Sequence, residues 1–188
     1  MKSINKTALL IRHGDRDAIP AGSFGNEVLL NEKGKQNAQS FGEKLKTSKI
    51  TKIYTSPVER CVQTAEYIAK GYGKAVNIIQ TTALGAPGLH INDEKTAGAF
   101  YLQQGFDVMY ESFINGVMVP GVATPERLNQ DLTDFINNNS EEKETTIFIT
   151  HDMLIAFYHF SINKTVYTKE NWVNYLSGIT FNNGINER

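Results

Sequence analysis

Thr7-Ala8-Leu9-Leu10-Ile11-Arg12-His13-Gly14 is the stretch on which the fold turns. A short apolar run of this kind reads as a strand buried on both faces, the sort found in parallel sheets covered by helices. It delivers Arg12, His13 and Gly14 at its carboxyl end. In open α/β sheets ligands collect beyond that end, and a glycine there lets the backbone approach a bound group closely. The pattern occurs again: Thr145-Thr146-Ile147-Phe148-Ile149-Thr150 runs into His151 and Asp152. Two of the four histidines therefore stand at predicted strand ends.

Outward from these strands the chain alternates strand and helix. Asn31 caps a helix with Ala38, Phe41 and Leu45 on its apolar stripe. Lys52 to Ser56 is a strand, and Pro57 opens a helix from about Val58 to Lys70; Val76 to Gln80 is a further strand. Thr124 caps and Pro125 opens a helix carrying Leu128, Leu132, Phe135 and Ile136, which a polar loop from Asn137 to Glu144 follows. Met153 to Ile162 and Lys169 to Leu176 are expected as helices, and Ile179 to Phe181 as a last strand at the sheet edge. Asp15 to Leu30 is a loop. Thr81 to Val122 is turn-rich, with short helical patterns after Asp93 and Asp107. The expected architecture is an α/β three-layer sandwich, a largely parallel sheet with helices on both faces. With no repeat and no boundary in sight, residues 1–188 are expected to form a single domain.

Charge narrows the function. The net charge is −1, which argues against a nucleic-acid partner. No apolar run reaches the ~20 residues of a membrane span. Met1 to Lys6 is too polar to begin a secretory signal, so a cytoplasmic location is expected. The lone Cys61 permits no internal disulfide, and packing is its expected role. Anion preference must then be local. Of five arginines, Arg12 and Arg16 flank His13, and Arg60 stands at the start of the helix after the second strand. Guanidinium groups hold phosphate oxygens in a planar, bidentate way and keep their charge at any working pH.

Three pieces now stand in order at predicted strand ends: Leu10-Ile11-Arg12-His13-Gly14, Ser56-Pro57-Val58-Glu59-Arg60-Cys61-Val62-Gln63-Thr64-Ala65-Glu66, and Ile149-Thr150-His151-Asp152. Together they resemble the histidine phosphatase superfamily, also called phosphoglycerate mutase-like. Leu30 to Ala38 resembles the start of that family's first helix. Arg16, three residues after His13, and Asp152, directly after His151, resemble the acid phosphatase branch; the small size is closer to the mutase-like branch. The resemblance implies a phosphoglycerate mutase-like fold, His151 as a donor to the phosphoryl oxygens, and Asp152 as proton donor.

Residue chemistry is consistent with that. Phosphoryl transfer spreads charge over three oxygens, so fixed cations and an aligned nucleophile are the main requirements. Arg12, Arg16 and Arg60 supply charge. His13 attacks through an unprotonated ring nitrogen, and a carbonyl or carboxylate on the other nitrogen would fix the tautomer. Asp152 either protonates the leaving oxygen or caps the helix that follows. The resemblance to the mutase-like branch implies instead an acid between the second motif and the last histidine, where Asp93 and Glu94 occupy the long loop. His90 contacts substrate or is an idle, exposed loop residue, and His159 is structural. Tyr54, Ser56 and Thr150 orient the site or fill their strands.

The expected function is a metal-independent, cofactor-free phosphatase acting on a small phosphomonoester through phosphohistidine on His13. The alternatives are a phosphoglycerate mutase-type phosphotransferase and a non-catalytic phosphate-binding protein of the same fold. A metal hydrolase using His13, Asp15, His151 and Asp152 is disfavoured, because three arginines would repel the cation.

Overall fold

Ile147 and Ile149 point to one side of their strand and Phe148 to the other, and that alternation divides the core in two. The computed structural model describes residues 6–20, 22–182 and 185–187. Met1 to Asn5, most of the segment read for a signal, lie outside the described residues. In chain order the elements are β1 (Thr7–Arg12), α1 (Glu32–Lys44), β2 (Lys52–Thr55), α2 (Glu59–Tyr72), β3 (Asn77–Gln80), α3 (Glu94–Ile114), α4 (Pro125–Asn139), β4 (Thr145–Thr150), α5 (Asp152–Asn163), β5 (Gly178–Asn182) and β6 (Ile185–Glu187). Ile147, Ile149, Ile53 and Ile11 face α1 and α2, with Ala38, Cys61, Ala65 and Ile68 buried between the layers. Leu10, Tyr54 and Phe148 face α3, α4 and α5 through Tyr110, Leu128, Leu132 and Phe157. The result is the expected three-layer sandwich.

The sheet has six strands in the order β3-β2-β4-β1-β5-β6. The first four are parallel, while β5 and β6 are antiparallel. The strand expected to be the last, β5, is thus neither last nor an edge: it lies between β1 and β6. In the central pair Arg12 stands opposite Thr150, so the next residues, His13 and His151, leave the sheet side by side.

Local chemistry accounts for the helix starts. Asn31 accepts from the Gly34 amide, and Thr124 accepts from the Arg127 amide ahead of Pro125. The short helical patterns after Asp93 and Asp107 correspond to two helical segments that meet at Gly105, whose φ of 82° and ψ of 169° are not helical; together they are labelled α3. The polar loop after α4 begins later than expected, since the helix runs to Asn139. Lys169 to Leu176 is not a helix. Tertiary bonds claim its backbone instead: Val173 carbonyl accepts from Arg12, the Leu176 amide donates to the carbonyls of Arg12 and His13, and Leu176 adopts a φ of 55°.

α1 and α2 cross backbone to backbone. A Cβ on Gly42 would lie 2.0 Å from the Ile68 carbonyl oxygen, and one on Gly71 would lie 1.9 Å from that of Gln39. Alanine gains up to about 1 kcal/mol over glycine within a helix, yet a collision with main chain cannot be relieved by a rotamer change. Gly71→Ala should therefore destabilise the fold by about 1–3 kcal/mol, read as a lower urea midpoint. A raised midpoint would mean that the helices separate freely.

Candidate active site

His13 is held on three sides. Its amide donates to the Thr150 carbonyl at 2.9 Å, and its ring Nδ1 lies 2.8 Å from the Gly14 carbonyl oxygen. A carbonyl only accepts, so Nδ1 carries the proton and Nε2 keeps its lone pair. Arg60 Nε donates to that Nε2 at 3.1 Å. The ring is only 1% exposed. Burial first, then His151 and Arg60, holds its pKa well below the ordinary histidine value.

Arg60 organises the neighbouring ring as well. From the first turn of α2 its Nη1 donates to the Gly25 carbonyl at 2.6 Å, and Nη2 donates to His151 Nδ1 at 3.3 Å. With Nδ1 accepting, His151 carries its proton on Nε2, which lies 3.0 Å from Ser56 Oγ. Burial and Arg60 press the His151 pKa down to about 3. The two rings meet edge to face, their centroids 5.5 Å apart. α2 and α5 both begin here, and their free amide ends add partial positive charge to the floor of the site.

Arg12 stands behind the floor. Nη1 donates to the Val173 carbonyl at 2.6 Å, Nη2 pairs with Asp152 Oδ2 at 2.8 Å, and the guanidinium lies 4.0 Å from the Tyr175 ring centroid. Trp172 Nε1 donates to the same carboxylate oxygen at 3.0 Å. By position His151 precedes α5 and makes no side-chain capping bond, while Asp152 lies in the first turn and does serve the helix start, its Oδ1 accepting from the Met153 amide at 2.9 Å. The Nε atoms of Arg12 and Arg16 are buried, with no hydrogen-bond partner among the described residues.

A cavity of about 620 Å³ opens over this floor. Of the candidates read from sequence, it brings together His13, Arg16, Arg60, His90, Glu94, His151 and Asp152. Arg12, Gly14 and Asp93 do not line it. The Gly14 amide donates to Thr64 Oγ1, and a Cβ there would sit 3.0 Å from the Gly34 carbonyl, so this glycine serves contact with α1. Asp93 caps α3 by accepting from the Thr96 amide at 2.9 Å. Asp15 turns away to Lys33 at 3.2 Å and Asn37 at 3.0 Å. That leaves the quartet of His13, Asp15, His151 and Asp152 unassembled, and no group of three potential metal ligands occurs among the described residues.

His90 is not an idle surface residue. It is 6% exposed, packs 5.8 Å from the Phe157 ring, and leaves Nδ1 without a partner. His159 is structural, bonded to Tyr167 at 2.9 Å. Thr150 Oγ1 donates to the Leu84 carbonyl, whereas Tyr54 stacks on Phe148 as core. Burial pushes the Cys61 thiol up to about 12, in keeping with a packing role. Trp172 and Tyr175 were missed. Their signal was two aromatics three residues apart, and the helical reading of that segment concealed it.

Burial alone lowers His90 to about 4 from 6.5. The unfolded chain then binds a proton that the folded one refuses, so stability is complete above about pH 6.5 and falls as the pH drops toward 4. His90 alone should contribute a loss of roughly 3 kcal/mol over that window. Urea melts at about pH 7 and about pH 4.5 check this, with a smaller difference expected in His90→Gln. Nitrogen NMR at about pH 5.5 should also find His13 neutral, protonated on Nδ1. An imidazolium there would contradict the geometry.

Residues 8–85 match the profile of the histidine phosphatase superfamily (branch 1). Over 74 residues the chain is 36% identical to a 2,3-bisphosphoglycerate-dependent phosphoglycerate mutase of Thermoplasma acidophilum, a match spanning 38% of this chain and 37% of that relative's length. Among solved structures, a phosphoglycerate mutase from Bacillus anthracis superposes with a TM-score of 0.61 at 16% identity, covering 98% of this chain and 92% of its own. Phosphoserine phosphatase from Entamoeba histolytica, solved with 3-phosphoglyceric acid, gives 0.56 at 20% identity, covering 93% and 89%. At such identities the likeness is one of fold. The matched segment contains His13 and Arg60 but ends before His151, which only the folded sheet brings to them.

Proposed function

We propose that the chain, whose residues 8–85 match the histidine phosphatase superfamily, is a metal-independent phosphatase that hydrolyses a phosphomonoester through phosphohistidine on His13. One observation carries the reading. His13 Nε2 is held unprotonated by the Nδ1 bond to the Gly14 carbonyl, beneath a cavity that Arg16, Arg60 and His151 also line.

The substrate dianion settles among these groups, and Arg60 Nε and its neighbours turn from resting partners to phosphoryl oxygens. The Nε2 lone pair forms the bond to phosphorus as the ester P–O bond breaks. Asp152, in its acid form, gives its proton to the departing oxygen. Water then attacks the phosphohistidine, its proton returns to Asp152, and phosphate leaves with the electrons of the P–N bond restored to Nε2. Glu94, at the cavity rim, is the competing acid; Asp93 is occupied as a cap.

Two outcomes are expected of a phosphomonoester screen. Inorganic phosphate should be released at the same rate with and without chelator, and vanadate should inhibit competitively by occupying the arginine cluster as a five-coordinate mimic. Loss of turnover on chelation would overturn the metal-free scheme. Phosphoryl movement between two positions of a sugar acid, with no phosphate released, would replace hydrolysis by a mutase reaction.

A further inference from the structure

Away from His13 the cavity changes character. Its far wall is built by Phe24, Tyr101, Leu102, Phe106 and Met109, whereas the charged groups other than those on the floor are Glu94 and Lys95 at the exposed start of α3. The break at Gly105 lies within this stretch of α3, between Leu102 and Phe106, both of which still reach the cavity. Phe24 crosses from the Asp15 to Leu30 loop and stacks on Tyr101, with centroids 5.3 Å apart. Phe24 is 47% exposed and Leu102 is 55% exposed, so large apolar side chains stand in water at the mouth of a functional pocket.

The volume decides between substrate classes. About 620 Å³ lies within the range of roughly 300–1,000 Å³ that holds a drug-sized ligand. A three-carbon phospho-acid would leave most of that space to water. A second acidic group calls for a further cation beyond the floor; Lys95, at the exposed start of α3, is the one such lining residue among the described residues, and the far wall itself carries none. We propose that the alcohol portion of the substrate is a large apolar group, an aryl or long alkyl moiety, which the Phe24, Tyr101 and α3 wall covers while the phosphate sits on His13. This rests on the phosphatase reading above. Phe24, Tyr101, Leu102 and Phe106 are its specificity residues.

A homologous series from ethyl to octyl phosphate tests it, because leaving-group basicity is nearly constant along the series and only apolar length changes. Each methylene that enters the wall should raise kcat/KM by about fourfold, with incomplete burial holding the octyl to ethyl ratio to on the order of 100-fold. Octyl phosphate should also outrun 3-phosphoglycerate. Leu102→Asp, at a half-exposed position that folding tolerates, should flatten the octyl to ethyl ratio. In parallel, calorimetry with alkylphosphonates, whose P–C bond cannot be hydrolysed, reads binding alone; affinity should rise with chain length, and the heat-capacity change should grow more negative.

The two readings fail separately. A flat length dependence among esters that are hydrolysed, or a preference for 3-phosphoglycerate, overturns the apolar assignment and leaves hydrolysis standing. Absence of turnover on every ester, with phosphonate affinity still rising along the series, removes the phosphatase reading and supports the apolar site. Phosphonates that bind equally at every length overturn the assignment.

Discussion

His13→Ala should abolish covalent labelling and lower turnover by on the order of 10⁴-fold or more. The magnitude follows from the geometry. Both His13 Nε2 and His151 Nδ1 turn a lone pair to Arg60, but only His13 has its other nitrogen held by a backbone carbonyl, that of Gly14, while His151 Nε2 is turned to Ser56. Removal of His13 leaves no ring with that backbone-fixed tautomer. Cys61, the nearest thiol, is fully buried and held protonated by that burial. Rapid quenching in alkali with labelled substrate should trap a base-stable, acid-labile phosphoprotein in the wild type. Label that persists on His13→Ala would sink the assignment, whatever the residual rate.

Asp152→Asn should slow alkyl phosphates by about 100-fold or more while leaving activated aryl esters such as 4-nitrophenyl phosphate within a few-fold, since only a poor leaving group needs a proton in the transition state. Stability should fall modestly. Asn keeps an oxygen for Trp172 and Arg12 but loses the second acceptor that now takes the Met153 amide, so the cost is about 1–2 kcal/mol, short of unfolding. Glu94→Gln is the control and should leave the ratio of the two ester classes unchanged. Equal losses on both classes in Asp152→Asn would make the residue a positioning group for Arg12. A selective loss on alkyl esters in Glu94→Gln would transfer the proton to α3.

The strands and their polar ends were legible because buried parallel strands write continuous apolar runs, and a charged triplet directly after one has few structural reasons to exist. Asn31 and Thr124 were legible as caps for an equally local reason. What stayed hidden depends on partners distant in sequence. Nothing within Asp15 distinguishes it from a site residue; it was Lys33 and Asn37, on a helix it helps to anchor, that drew it away. Likewise the spacing of Trp172, Val173 and Leu176 suits a helix, but the guanidinium of Arg12 and the end of β1 claim that segment as an irregular, turn-containing tether. α3 was obscured by Gly105, where its two helical segments meet as two weak patterns. His90 shows the same limit: a turn-rich sequence gives no warning that the chain will bury it.

The position of β1 carries a consequence for how the molecule reaches its folded state. It is the first strand in the chain, yet its partners are β4 and β5, which come more than 130 residues later. A growing chain therefore holds Leu9, Leu10 and Ile11 with both hydrogen-bonding edges open while β2, β3 and the intervening helices are made, the condition in which strands recruit wrong neighbours. Closing so long a loop is slow, and it is the closure that sets His151 beside His13. Enzymatic competence should thus return in the last phase of refolding, in step with burial of this strand and never ahead of it.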